Sequence, residues 1–463
     1  MDAIDWVPDL STREKPRYLA IADAIEEEIR LGRLGPSDRL PPQRELARRL
    51  NIDFTTVARG YVEAQKRGLI ESRVGQGTFV AYVERRGRKA AAPREDLVDL
   101  TMNLPPEPDD PVLIDRMQSG IEWISQDIVA LLRYQNFGGS RIAKEAATNW
   151  LGRRALVPSH DRLFITPGAH PAMLGIFSTI AKPGDVVVCE AITYPGMKAI
   201  AAQLGLRLIG IAMDDEGIDA AALEEACAKH KPKALYLNPT LQNPTTITIS
   251  EQRRSQIAAV ARRYRLPIVE DDAYGFIAPN APPPFAALVP ELTWHIAGLA
   301  KCLGAGLRMA YVIAPDIKSS WSVSSAIRSA TVMASPLTVA LATRWIEDGT
   351  ADAILKSIRT ATQARQELAA EILQPGSFRA DLLSFNIWVN LPKPWTRSAF
   401  IGQTARSALI GIVASDAFCV GIEPPEAVRI CLGGPLDYEG VRAALEYTAH
   451  ALDQSPAMAS NFL

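Results

Sequence analysis

Between residues 162 and 313 the chain repeats one pattern. Short apolar runs, Leu163–Thr166, Val186–Cys189, Leu206–Ile211, Ala234–Leu237, Ile268–Glu270, His295–Ala297 and Met309–Ile313, alternate with longer segments of helical periodicity. Runs this short read as strands buried on both faces, and the helices between them as crossover connections. The pattern constrains the fold to α/β, a mostly parallel sheet with helices on both faces. Ligands of such sheets gather at the carboxyl ends of strands, and Thr166, Asn238, Asp271 and Gly298 fall at or just beyond those ends. A helical pattern over Asp352–Leu373 then leads to a small C-terminal α+β unit, with strands near Phe385–Leu391 and Val428–Leu432 and a last helix after Tyr438.

One constellation on this frame carries chemistry. The apolar run Leu266–Val269 ends in Glu270-Asp271-Asp272-Ala273-Tyr274, Lys301 follows Asp271 by thirty residues, and Arg308 follows the lysine by seven. A carboxylate, a tyrosine, a lysine and an arginine in that order meet the needs of pyridoxal 5'-phosphate: an amine to condense with the aldehyde, an acid for the ring nitrogen and a cation for the phosphate. A lone lysine is ordinarily an exposed cation. The flanks Gly298-Leu299-Ala300 and Cys302 to Arg308 favour the functional reading. Thr166-Pro167-Gly168-Ala169-His170, ahead of an apolar helical run, offers backbone N–H groups to a phosphate.

The first eighty residues differ in character. Residues 39–89 carry 12 Lys and Arg against 5 Asp and Glu, whereas residues 90–463 carry 33 against 38, a distribution that suits nucleic acid at one end of the chain only. Tyr18, Ala22, Ile25 and Ile29 recur at helical spacing, and Gly32 with Gly35-Pro36 stops that helix. A second helix follows Pro41-Pro42 with Leu46, Ala47 and Leu50 inward. A third runs from Phe54 to Arg67, burying Val57, Tyr61 and Ala64 and showing Thr55, Thr56 and Arg59 on its other face. Leu69–Arg73 and Thr78–Val80, joined by Gly75-Gln76-Gly77, read as a two-stranded wing. Three helices and a wing make a winged helix-turn-helix, whose third helix enters the major groove of DNA. Residues 84–94 are charged, alanine-rich and without apolar pattern, as a linker is. The expected organisation is therefore 1–83, a linker over 84–97, and 98–460.

At 463 residues and 48% hydrophobic, the chain can bury substantial cores. Its apolar runs are too short to cross a bilayer and its start lacks the features of a signal peptide, so no membrane association and a cytoplasmic location are expected. Cys189, Cys227, Cys302, Cys419 and Cys431 are odd in number and never spaced as a metal knuckle, which predicts reduced, packed thiols and no metal site.

The stretches Leu40–Ala47, Thr56-Val57, Gly60-Tyr61, Gly68-Leu69-Ile70 and Gly75–Val80 resemble the GntR-type DNA-binding domain along its whole length. Residues from about 98 to 455 resemble a fold-type I aminotransferase of class I/II, the pyridoxal-phosphate-dependent transferase fold, and the two together are similar to the MocR branch of GntR regulators. The resemblance places Arg44, Thr55, Thr56 and Gly75 at DNA; Arg59 on the same helix face and Arg73 in the wing complete the expected contact set. Phe54 and Ala58 depart from residues that are commonly polar and often arginine in the family.

In the large domain the resemblance implies Lys301 as the Schiff-base lysine and Asp271 as the partner of the pyridine nitrogen, with Asp272 the alternative acid. It implies Tyr274 and Asn243 at the phenolic oxygen, Ala169, His170 and Arg308 at the phosphate, and Tyr194 stacked on the ring. Tyr134 corresponds to a tyrosine reaching the phosphate of a neighbouring subunit, hence a homodimer. Arg429 corresponds to the arginine that clamps an α-carboxylate through two hydrogen bonds. Asn238-Pro239-Thr240 is set aside as a similar motif placed too early. Gly298 and Ala300 stand where the family usually has serines, and Thr246 replaces a glycine. The implied function is a transcriptional regulator that reads a small amine or amino acid as an external aldimine and acts on double-stranded operator DNA. A working aminotransferase that also binds DNA is the alternative, and a reporter of the cofactor itself is a third reading.

Overall fold

The computed structural model describes residues 6–8, 16–30, 33–35, 38–73, 77–80, 98–408 and 410–454. The chain divides into two compact units, Met1–Glu95 and Asp96–Leu463.

In the larger unit, β1 (Leu163–Thr166), β2 (Val186–Glu190), β3 (Arg207–Ile211), β4 (Ala234–Leu237), β5 (Ile268–Asp271), β6 (Thr293–Gly298) and β7 (Ala310–Ile313) form one sheet in the order β1-β7-β6-β5-β4-β2-β3. All neighbours run parallel except β7, which is antiparallel to both β1 and β6. Alternation along the strands sorts side chains between two faces. Tyr311 and Ile313 join a core with Trp150, Leu341 and Ile354, whereas Ala310 and Val312 join one with Met173, Met197 and Val323. Helices therefore cover both faces, as the near-continuous apolar strands require.

The reversal of β7 positions the site. Ala310 pairs with both Gly298 and Thr166, so the amino end of β7 lies at the carboxyl edge of its neighbours. Arg308, two residues earlier, is thereby carried to the ends of β1 and β6.

The helix Thr350–Ile372 leads to a four-stranded antiparallel sheet in the order Phe378–Arg379, Asn386–Asn390, Ala427–Cys431, Val413–Ala414. Val428 and Ile430 face its core, which puts Arg429, between them, on the opposite face. Val98–Asp99 pairs in parallel with Ile410–Gly411 and anchors the start of this unit, so that Thr101 to Leu104 run on toward the sheet edge.

The amino-terminal unit contains helices Arg17–Arg30, Gln43–Leu50 and Phe54–Lys66 and the hairpin Ile70–Arg73 with Gly77–Val80. Ile21, Ile25, Leu46, Val57, Tyr61 and Ala64 make its core. A Cβ at Gly60 would lie 3.0 Å from Ile21 and from the Tyr18 carbonyl, so glycine is what lets the first and third helices approach. Asp53 caps the third helix by accepting from Thr55 N. Gly75, the stop residues Gly32 and Pro36, and the expected linker over 84–97 lie outside the described residues, as does the side chain of Arg73.

Among the described residues no helix is long and apolar enough to cross a membrane, and no group of His, Cys, Asp and Glu could hold a metal ion. The five cysteines are free; Cys419 is half-buried and the others are buried.

Candidate functional site

A cavity of about 460 Å³ opens at the carboxyl edge of the large sheet and is lined from the C-terminal sheet as well. Lys301, Asp271, Tyr274, Asn243, Arg308, Ala169, His170, Tyr194 and Arg429 all line it. Tyr134 does not: it is 80% exposed, just beyond the short helix Ile128–Leu131.

At one end stands Asp271, the last residue of β5. Its Oδ2 accepts from Tyr236 Oη at 2.9 Å, and its Oδ1 is buried without a partner. Burial pushes its pKa up to about 6, against the pull of that hydrogen bond. Asp272 points away and is ion-paired with Arg154 at 3.2 Å. Burial opposes its ionisation, but Arg154, His295 and Arg254 outweigh that and hold it below the usual carboxylate range. It does not line the cavity, so the geometry favours Asp271 as the acid.

Lys301 follows β6 and is half-buried, and the desolvation of its amine lowers its pKa to about 8. Its Nζ donates to the Asn103 carbonyl. Beyond it lies an anion cradle. The helix Ala169–Ile180 begins after Gly168, which takes φ 109°. Thr166 Oγ1 donates to the Gly168 carbonyl at 3.0 Å, and a Cβ on Gly168 would come within 3.5 Å of Arg308 Nη2. Free N–H groups at a helix start beside a guanidinium suit a phosphate. His170 Nε2 and Tyr194 Oη are 2.7 Å apart. Burial, then Arg308, lowers the His170 pKa, and burial raises that of Tyr194 to about 12. The ring of Tyr194 is packed so closely that a Cβ on Gly196 would lie 2.3 Å from it.

At the other end, Arg429 Nη1 donates to Asn243 Oδ1 at 2.9 Å and Nη2 to the Thr101 carbonyl, leaving Nε buried without a partner. Phe418 lies under the guanidinium, 5.0 Å from ring centroid to Cζ. Met102, Leu104, Val413 and Ala417 make the neighbouring wall apolar. Asn238, set aside in the sequence, is part of this site. Its Nδ2 donates to the Asp271 carbonyl at 2.7 Å and its Oδ1 accepts from Asn243 N at 2.9 Å, so it ties the acid-bearing strand to the loop that carries Asn243. In that loop Thr246 takes φ 63°, which glycine adopts freely and a β-branched residue only under strain.

The residues present fit pyridoxal 5'-phosphate. Asp271 Oδ1 is an unpartnered acceptor where a ring N–H is required, Lys301 is a half-buried amine with a depressed pKa, and Arg308 stands at the helix start. Tyr236 and Asn103 were not evident from sequence. The one hydroxyl in an otherwise aliphatic, fully buried strand could have flagged Tyr236, whereas nothing local marks Asn103.

On the amino-terminal unit, Arg44, Thr55 and Arg59 are exposed and Thr56 is half-buried. Arg59 lies over the Tyr18 ring at 4.2 Å and Arg44 5.9 Å from the Phe54 ring, while the Thr55 hydroxyl donates to Asp53. Phe54, the departure from a commonly polar position, is itself exposed beside this face.

Fold and cavity together define an aminotransferase-type domain behind a winged helix. Residues 95–446 match the family of aminotransferases class I and II, and residues 17–80 that of bacterial regulatory proteins, gntR family. The HTH-type transcriptional regulator YdeF of Bacillus subtilis (strain 168) is 30% identical over 97% of this chain and 97% of its own. The vitamin B6 salvage pathway transcriptional repressor PtsJ of Salmonella typhimurium is 26% identical over 90% of this chain and 95% of its own. Among solved structures, the α-aminoadipate aminotransferase LysN of Thermus thermophilus, complexed with N-(5'-phosphopyridoxyl)-L-leucine, is similar with a TM-score of 0.69 at 21% identity, over 80% of this chain and 94% of its own, a likeness of fold. The chain belongs to the class I and II aminotransferase family, as one of the HTH-type transcriptional regulators that carry a gntR-type domain ahead of it.

Proposed function

We propose that this chain is a pyridoxal 5'-phosphate-dependent transcriptional regulator. It binds operator DNA through residues 1–83 and senses a small amine or amino acid in the cavity of the domain 98–460, with 84–97 as the connection. The observation that carries this reading is the convergence of Lys301, Asp271, Tyr274, Arg308 and Arg429 on one cavity. When bound, the cofactor supplies an aldehyde that links covalently to amines. Lys301, with its pKa lowered to about 8, keeps part of its amine unprotonated near neutral pH and able to make that link. Asp271 holds the charge at the ring nitrogen, and Tyr274 and Asn243 attend the phenolic oxygen. Ala169, His170 and Arg308 hold the phosphate, and Tyr194 covers the ring face. Arg429 recognises the carboxylate of the effector, with Nε as its unpartnered donor.

A homodimer completes the reading. Tyr134 is exposed among other exposed apolar residues, Trp123, Ile128, Val129, Leu132 and Ile142, a patch of the kind that marks a protein interface. In the proposed assembly Tyr134 serves the neighbouring subunit's phosphate, and Arg44, Thr55, Thr56, Arg59, Arg73 and Gly75 face DNA.

The test is spectroscopic. Purified protein should carry the visible absorption of a lysine-bound cofactor, and Lys301→Ala should lose it together with the amine response. Recovery of a borohydride-fixed adduct on another lysine overturns the assignment. Amino acids should displace the lysine link more readily than alkylamines of equal size, and Arg429→Ala should remove that preference at a cost of about 1.5–3 kcal/mol, roughly ten- to a hundredfold in affinity. Equal affinities in variant and wild type would show that Arg429 is structural.

A further inference from the structure

Asn103 sits on the segment that follows the strand Val98–Asp99, is 8% exposed and lines the cavity. Its Nδ2 lies 2.9 Å from Tyr274 Oη and 3.2 Å from Asn386 Oδ1. The direction of these hydrogen bonds follows from the far end of the network. The Pro244 carbonyl can only accept, so the Asn386 atom 2.7 Å from it is the amide nitrogen. Asn386 therefore turns its oxygen toward Asn103, and the Asn103 group that meets an oxygen there must be its NH2. That same NH2 faces Tyr274 Oη, which accepts from it. A phenol has one proton, and Tyr274 Oη has no other hydrogen-bond partner among the described residues. With one lone pair engaged by Asn103, the proton is left to point elsewhere, and the cavity that Tyr274 lines is where an acceptor can meet it.

We propose that Asn103 is a positioning residue that fixes the Tyr274 hydroxyl as an acceptor on its outer side and so directs its proton into the cavity, onto the phenolic oxygen of the cofactor. The proposal rests on the reading that Tyr274 attends that oxygen. Two further observations support it. Asn103 Oδ1 is buried without a partner, so both hydrogen bonds of this side chain are made by its NH2, one of them to the Tyr274 hydroxyl. Burial also holds the Tyr274 phenol far above its ordinary pKa, so it remains a proton donor across the working pH range. Donation from Asn103 into the phenol oxygen polarises the O–H and strengthens the hydrogen bond it makes in turn.

A donor on the phenolic oxygen matters most once the neighbouring lysine-linked nitrogen has lost its proton, because only then does the oxygen lack that partner. Tyr274 should therefore lower the pH at which this nitrogen deprotonates, and loss of the donor should raise it. The experiment is a pH titration of the visible absorption of the full-length protein loaded with pyridoxal 5'-phosphate, in wild type, Tyr274→Phe, Asn103→Leu, Asn103→Ala and the double variant Tyr274→Phe/Asn103→Leu. Tyr274→Phe should move the midpoint up by about one pH unit, tenfold in proton affinity. The Asn103 variants should move it the same way by about two- to tenfold, and Asn103→Leu should add nothing in the Tyr274→Phe background. An unmoved midpoint in Tyr274→Phe overturns the role of Tyr274 and the proposal with it. A midpoint that moves in Tyr274→Phe but in neither Asn103 variant, or an Asn103→Leu shift that persists undiminished in the double variant, overturns the role of Asn103 alone. A merely structural asparagine would alter stability without moving this midpoint through Tyr274.

Discussion

Tyr236 donates its hydroxyl proton to Asp271 Oδ2 across 2.9 Å, from β4 to the neighbouring β5, and so leaves Asp271 one engaged and one unpartnered oxygen. The tyrosine thus orients the carboxylate, and in the proposed function Oδ1 is the oxygen that meets the ring N–H. The bond also opposes the burial that raises the Asp271 pKa to about 6. Tyr236→Phe should let that pKa climb and reduce the ionised fraction at pH 7. A hydrogen bond to a charged group contributes about 1.5–3 kcal/mol, so cofactor affinity at pH 7 should fall roughly tenfold or more. Asp271 ionises above its pKa, so the deficit should shrink at pH 9. Equilibrium dialysis of the cofactor at both pH values reads this, and an equal loss at both would show that the tyrosine acts by packing.

Glu190, at the end of β2, is buried behind the same acid, and burial raises its pKa to about 8. Its Oε2 accepts from Asn238 N at 3.3 Å while Oε1 has no partner. A carboxyl whose folded-state pKa is raised contributes stability below its unfolded value of 4.5 that is lost as pH rises through about 8. Glu190→Gln removes this dependence. Relative to wild type, the variant should gain up to about 1.4 kcal/mol per pH unit between pH 5 and 8 and nothing more above that. Denaturation of cofactor-free protein at pH 5, 7 and 9 measures the difference, and a difference that stays flat across the series overturns it.

The sequence made the sheet legible because each strand is an apolar run flanked by helical periodicity, and it made Lys301, Asp271 and Arg308 legible because their spacing is set by consecutive elements. The antiparallel direction of β7 was not legible, since alternation reads burial and says nothing of strand direction. Motif spacing sets Asn238 aside, yet its amide bridges Asp271 and Asn243 through contacts that only the folded edge creates. Asn103 is remoter still: its partners Tyr274 and Asn386 lie 171 and 283 residues away.

On the amino-terminal unit, Arg44 is exposed while the Thr55 hydroxyl is engaged with Asp53 and Arg59 lies over Tyr18. Arg44, whose ring contact with Phe54 at 5.9 Å is longer than that of Arg59 with Tyr18 at 4.2 Å, is the group with which the DNA face is tested. Arg44→Ala should weaken operator binding by about 1–3 kcal/mol and, if the contact is to phosphate, flatten the salt dependence by about one counterion. The cofactor spectrum should be unchanged. Titrations at several salt concentrations decide it, and identical curves for variant and wild type would place the DNA face elsewhere.

Gly298 ends β6 and lines the cavity, at a position where the family resemblance of the sequence leads to the expectation of a serine. There is room for one: the nearest atom to a Cβ at this position is Ala169 Cβ, at 3.9 Å, and Ala169 opens the helix that faces the proposed phosphate. Gly298→Ser should add a donor to an anion. The gross contribution of a charge-assisted hydrogen bond, about 1.5–3 kcal/mol, is reduced by ordering the hydroxyl, so a three- to thirtyfold gain in cofactor affinity is expected, about 0.7–2 kcal/mol. Gly298→Ala separates the causes, because it fills the same space and restricts the same backbone without supplying a donor. Tightening in the serine variant alone assigns the gain to the hydroxyl and identifies the glycine as a site where this chain holds its cofactor less firmly than it could. Equal tightening in both variants assigns it to a stiffer strand end, and no change in either would mean that the phosphate does not reach Gly298 at all.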